Sequence, residues 1–127
     1  MKNNVVGWFE IPVIDMERAT SFYEKVFGFK MQRSDMGPLK MCFFPWAEGG
    51  NGTGGSLVEM AEFYKPKDNG VLIYFTAQSG DLSNELAKVN EAGGKVLFEK
   101  KQISENNGFM GVFLDSEGNR IAVHSKK

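Results

Sequence analysis

The chain holds one histidine, His124, and one cysteine, Cys42. A serine or cysteine nucleophile needs a base beside it, and Cys42 stands among apolar residues with no sign of one. The chemistry that remains open is proton transfer between a carboxylate and an imidazole. Glu10 and His124 are the pair for it, each in an alternating run, "WFEIP" and "RIAVHS". In a partly apolar cleft a glutamate pKa rises toward the range in which it can take and return a proton. Each also has a plainer use. Glu10 can pair with Arg120 or a neighbouring lysine, and His124 can be a half-exposed residue three positions from Lys127.

The elements that must bring these residues together come in two copies. Residues 5–60 read as strand, acidic turn, helix, glycine and three strands, and residues 70–125 repeat that order. Asp15 opens one helix and Asp81 the other; Gly28 and Gly94 fall at their ends, so both landmarks keep an offset of 66 residues. Two copies are too few for a solenoid, which stacks three or more. They are expected to close on each other within one domain, 1–127, around a concave space. Residues 61–69, with Lys65-Pro66-Lys67-Asp68, read as the linker.

In the first strand, 5–13, Gly7, Phe9, Ile11 and Val13 share one face, and Trp8, Glu10 and Pro12 the other. Asp15 is a good N-cap, Ala19, Phe22, Tyr23 and Val26 make an apolar helical face, and Gly28 suits a left-handed C-cap. Strands follow at 29–33, 39–45 and 56–60, with a turn at Asp35-Met36-Gly37-Pro38. Residues 46–55 are glycine-rich but lack the Lys-Ser/Thr ending of a phosphate loop and lead into a strand, so a loop over the cleft mouth is expected. The second copy gives a strand at 71–77 and a helix with Leu82, Leu86 and Val89, stopped by Gly93-Gly94. Strands at 95–99, 108–114 and 119–124, a polar loop at 102–107 and a turn at Asp115-Ser116-Glu117-Gly118-Asn119 complete it.

A net charge of −1 without blocks of like charge gives no argument for nucleic acid or an anionic membrane. No apolar run approaches the ~20 residues of a membrane helix. Met1-Lys2-Asn3-Asn4 lacks a signal-peptide core, and a cytoplasmic location is expected. A single cysteine makes no intrachain disulfide, and Cys42 is expected to pack in a strand. Eleven Phe and two Trp are enough for an aromatic cavity wall.

The stretches "FEIPVIDMERATSFYEKVFGF" and "FLDSEGNRIAVHS" resemble the vicinal oxygen chelate superfamily, the group of glyoxalase I, bleomycin-resistance proteins and extradiol dioxygenases. The resemblance implies an α+β fold of two βαβββ modules forming an open barrel around a cleft, a small-molecule partner and a homodimer. In metal-using relatives four side chains, commonly His, Glu, His and Glu, hold a divalent ion. Here the matching positions are Trp8, Leu72 or Tyr74, and Ala122. For the remaining one, aligning Gly54-Gly55-Ser56-Leu57-Val58-Glu59-Met60 with Gly118-Asn119-Arg120-Ile121-Ala122-Val123-His124 places Val58 with Ala122 and turns Glu59 away from the cleft. None is an ordinary metal donor, so no metal residue is assigned and a divalent metal has no support at the family positions.

Side chains two apart on a strand share a face. Glu10 shares Trp8's face, and Arg120 and His124 share Ala122's. The expected catalytic residues are therefore Glu10 and His124, and the expected substrate-binding residues Trp8, Met60, Tyr74 and Arg120. Phe43 and Met110 are expected in the core. A Trp where a ligand was expected suggests stacking on a planar molecule. Three functions fit: a glyoxalase-like enzyme, lyase- or dioxygenase-like, acting on a small oxygenated substrate; a bleomycin-resistance-like protein that sequesters a planar compound; and a regulatory subunit with a vestigial cleft.

Overall fold

The computed structural model describes residues 1–127. Module one runs β1 (Phe9–Pro12), α1 (Met16–Phe27), β2 (Gln32–Arg33), β3 (Lys40–Phe43) and β4 (Gly55–Glu59). Module two runs β5 (Ile73–Thr76), α2 (Leu82–Ala92), β6 (Lys95–Ser104), β7 (Gly108–Leu114) and β8 (Arg120–Ser125). Each module makes a four-stranded mixed sheet, in the orders β1-β4-β3-β2 and β5-β8-β7-β6. The first strand pairs in parallel with the last strand of its own module in both. The fold is α+β with two βαβββ modules. Its two sheets form a cleft without closing into a barrel.

Local chemistry explains the helices. The Asp15 carboxylate accepts the Arg18 amide, and Gly28 ends α1 in the left-handed region at φ 76°. Met16, Ala19, Phe22, Tyr23, Val26 and Phe27 make its buried stripe. Asp81 caps α2 through the Ser83 amide, but the left-handed C-cap is Gly93, at φ 107°, not Gly94. The helix is therefore one residue shorter than the 66-residue offset implies, 11 residues against 12.

Helix α1 belongs to module one yet packs on both sheets: the Phe22 ring lies 5.9 Å from Phe113 and the Phe27 ring 5.0 Å from Phe75. One continuous core thus joins the modules on the helix side of the sheets. A polar clasp joins them at the turn after β7. Glu117 accepts the amides of Ile14 and Asp15, each at 2.9 Å, and the Arg18 guanidinium. Asp115 accepts the buried Tyr23 hydroxyl at 2.6 Å, and the Asn119 amide donates to the Pro12 carbonyl at 2.7 Å. Burial pushes the Asp115 carboxyl up and the Tyr23 phenol well up, the phenol further because it faces that carboxylate.

Several expectations need correcting. The first strand covers only Phe9–Pro12 of 5–13, and the second only Gln32–Arg33 of 29–33. The polar stretch at 102–107 is not all loop, since β6 continues to Ser104. It is an edge strand that can be polar because most of it faces water. The pairing of the copies also shifts. Val13 donates to the Val58 carbonyl and Ala77 to the His124 carbonyl, so His124, not Ala122, matches Val58. The shift is two residues, which preserves the face. Accordingly Glu59 accepts the Met16 amide and Ser125, 66 residues on, accepts the Leu82 amide, so Glu59 faces a helix as expected.

Candidate functional site

Strands β1 and β5 each form one edge of their sheet, opposite β2 and β6. A cavity of about 990 Å³ runs along the seam where these edges stand apart. Every residue from Ile73 to Gln78 touches it. Successive strand residues point to opposite faces, so a cavity that meets all of them follows the strand's open edge. Its apolar wall is Phe9, Phe29, Phe44 and Phe75, four rings set edge-on or tilted to one another at 5.3–5.9 Å. All four are partly buried and lean on the core, so each keeps some ring surface for an occupant.

The glycine-rich loop also borders the cavity. Trp46 and residues 50–54 line the cavity. Gly54 has no side chain because two indoles occupy that space: a Cβ there would sit 3.0 Å from the Trp46 ring and 3.3 Å from Trp8. Thr76, Gln78, His124 and Lys126 supply the polar end. Thr76 and His124 are register partners, and Gln78 and Lys126 follow them by two residues.

Of the six residues singled out from the sequence, Tyr74 and His124 line this cavity. Tyr74 is half exposed. The His124 Nε2 lies 2.7 Å from the Asn107 carbonyl oxygen. A carbonyl only accepts, so Nε2 carries the proton and a neutral ring keeps Nδ1 as its acceptor. The other four lie elsewhere. Trp8 is on the face away from the helices, 46% exposed, and meets Phe43 edge-on at 5.5 Å. Glu10 accepts the Tyr64 hydroxyl at 2.7 Å, which raises the Tyr64 pKa. Met60 begins the turn that delivers Tyr64: its carbonyl accepts the Phe63 and Tyr64 amides. Arg120 donates to the Gly70 carbonyl at 3.1 Å, and its Nε is buried without a partner. Glu10 and His124 therefore do not share the cavity.

The residues at the family's metal positions do not fit a divalent ion. Ala122 and Val58 are fully buried, Leu72 is apolar, Trp8 is engaged with Phe43, and Ser56, which the corrected pairing matches with Ala122, is a buried hydroxyl without a partner. Nowhere in the chain do three His, Cys, Asp or Glu side chains come together. The aromatic wall went unnamed residue by residue in the sequence, although the number of Phe residues signalled it. Phe9 and Phe75 alternate onto the helix face and read as core.

A two-module α+β chain with a hollow at the joint of its sheets is the class these features define. The chain belongs to the glyoxalase/bleomycin resistance protein/dioxygenase superfamily, whose model matches residues 5–123. A glyoxalase/bleomycin resistance protein from Albidiferax ferrireducens is similar, at 16% identity and a TM-score of 0.70, over 98% of this chain and all of that one. The fosfomycin resistance protein FosX from Listeria monocytogenes follows at 17% identity and a TM-score of 0.66, over 100% and 94%. Glyoxalase I from Zea mays is 20% identical with a TM-score of 0.66, over 94% of this chain, which spans only 45% of that protein. At such identities the likeness shows the fold. No curated protein matches the sequence.

Proposed function

We propose that this protein binds a planar small organic molecule in the seam cavity and holds it without chemistry at the superfamily's metal positions. The observation that carries the reading is the wall of four phenylalanine rings in a cavity whose lining also includes Trp46 of the glycine-rich loop. Partly buried rings at these angles offer both edges and faces to a flat ligand. Sequestration is favoured over transformation by the placement of Glu10. Its carboxylate is held by Tyr64 and does not line the cavity with His124, so the acid–base pair has no common substrate.

The reading includes a homodimer in the cytoplasm. A single buried thiol fits a reducing compartment. Trp8, Val71 and Tyr74 leave apolar surface that a second copy would cover. No helix is long and apolar enough to cross a membrane. Light scattering is expected to give twice the 14.2 kDa chain mass, and a monomer at micromolar concentration would remove that part of the proposal.

The binding test uses Trp46 as reporter in a Trp8→Phe background, where it is the sole indole. Titration with neutral 2-naphthamide is expected to change its emission saturably, and mass spectrometry to recover the compound intact. Emission that stays flat or falls without saturation would sink the reading.

A further inference from the structure

The cavity's charge narrows the class of ligand. The chain carries 16 Asp and Glu against 15 Lys and Arg, yet no Asp or Glu side chain lines the cavity. Its one charged side chain is Lys126, placed beside His124, Thr76 and Gln78. The acids nearest in sequence are turned to other uses or other directions. Asp81, next to the lining Gly80, caps α2 and pairs with Lys100 at 2.9 Å. Glu85 is buried and accepts the Ser79 amide and hydroxyl. Glu48 lies in the glycine-rich loop, exposed, and is not part of the lining.

The segment bearing Lys126 is tied down. The Ser125 hydroxyl accepts the Leu82 amide at 3.0 Å and donates to the Lys127 carbonyl at 2.8 Å. This bridges the end of β8 to the start of α2 on both sides of Lys126. Lys126 is exposed where the chain passes the aromatic hollow, and a cationic side chain at that rim favours an anion over a cation.

Resting on the binding reading above, we propose that the ligand is a planar aromatic carboxylate, its ring among Phe9, Phe44, Phe75 and Trp46 and its carboxylate toward Lys126. The Thr76 hydroxyl and the Gln78 amide are further donors to it. The test compares three probes of one shape, 2-naphthoate, 2-naphthamide and 2-naphthylmethylammonium, by Trp46 emission at low ionic strength, where rim charges are least screened.

The naphthoate is expected to bind about tenfold more tightly than the amide, the factor given by one charge-assisted hydrogen bond of about 1.4 kcal/mol, and the ammonium most weakly. Lys126→Gln is expected to narrow the gap between naphthoate and amide to about twofold or less by removing that bond. Equal affinities for all three probes would overturn the charge assignment and leave planar binding intact. A preference for naphthoate that survives in K126Q would overturn the role of Lys126. Failure of all three would instead bring down the binding reading itself.

Discussion

Replacing Glu117 by alanine is expected to cost about 3–5 kcal/mol, read as a lowered urea midpoint at constant slope. The carboxylate is buried and takes two backbone amides and a guanidinium from across the module boundary, and the hydroxyl of its neighbour Ser116. Truncation leaves the Ile14 and Asp15 amides without their acceptor, and an unmade buried hydrogen bond costs more than a made one gains. The Arg18 side chain is half exposed, so Arg18→Ala alone is expected to cost no more than about 1 kcal/mol. Equal costs for E117A and R18A would show that the clasp is only a surface ion pair.

The same residue sets an acid limb. Burial alone would push the Glu117 carboxyl up. The Arg18 hydrogen bonds, the two amides and Ser116 outweigh it and pull it from 4.5 to about 2. A depressed folded-state pKa gives stability that is fully present above the unfolded value and is lost as pH falls through the folded one. About 3 kcal/mol should therefore disappear between about pH 4.5 and pH 2. Asp115 beside it is raised by burial and works with the opposite slope, so the comparison is with Glu117→Gln at each pH. E117Q is expected to start lower and to lose less in that window. Parallel curves would mean that the clasp carboxylate does not titrate as described.

What the chain reveals in advance is what short-range chemistry determines. Alternation in β1 and β8 separates Phe9, Ile11, Ile121 and Val123, which meet the core, from Trp8, Glu10 and Ala122 on the other face. Asp15 and Asp81 announce their helices because capping acts over two or three residues. The site is less legible because it depends on where two sheets part. Phe9 and Phe75 obey the alternation and still meet the cavity, since both belong to edge strands that border the seam between the sheets. Glu10 is paired with a linker tyrosine 54 residues away, and Asp115-Ser116-Glu117-Gly118-Asn119, read as a turn, clasps the other module. The length of β6 was hidden by Lys100 and Lys101. Yet the Lys100 ammonium lies 4.7 Å from the Phe109 ring and pairs with Asp81, a long polar side chain covering apolar surface.

Gly94 carries the second large expectation, because the repeat suggests one role for it and the packing another. If Gly94 ended α2 as Gly28 ends α1, its replacement would cost only the left-handed penalty of about 1–2 kcal/mol. That role falls to Gly93, where the nearest atom to an added Cβ is 3.9 Å away. Gly94 does not have a positive φ, but a Cβ there would meet the Leu114 carbonyl oxygen at 2.3 Å and the Phe22 ring at 2.7 Å. Leu114 is the register partner of Lys95, and Phe22 is fully buried where module one's helix crosses module two. Neither can retreat without moving the start of β6 or reopening the joint between modules. Gly94→Ala is therefore expected to destabilise by about 3 kcal/mol or more, the upper end for overpacking, and Gly93→Ala by about 1–2 kcal/mol. Adding Phe22→Leu to G94A removes the ring clash but not the carbonyl clash, so it is expected to recover only part of the difference in a double-mutant cycle. The reverse order, with G93A the costlier change, would restore Gly94 as the cap and take away the close approach that brings the two halves onto one core.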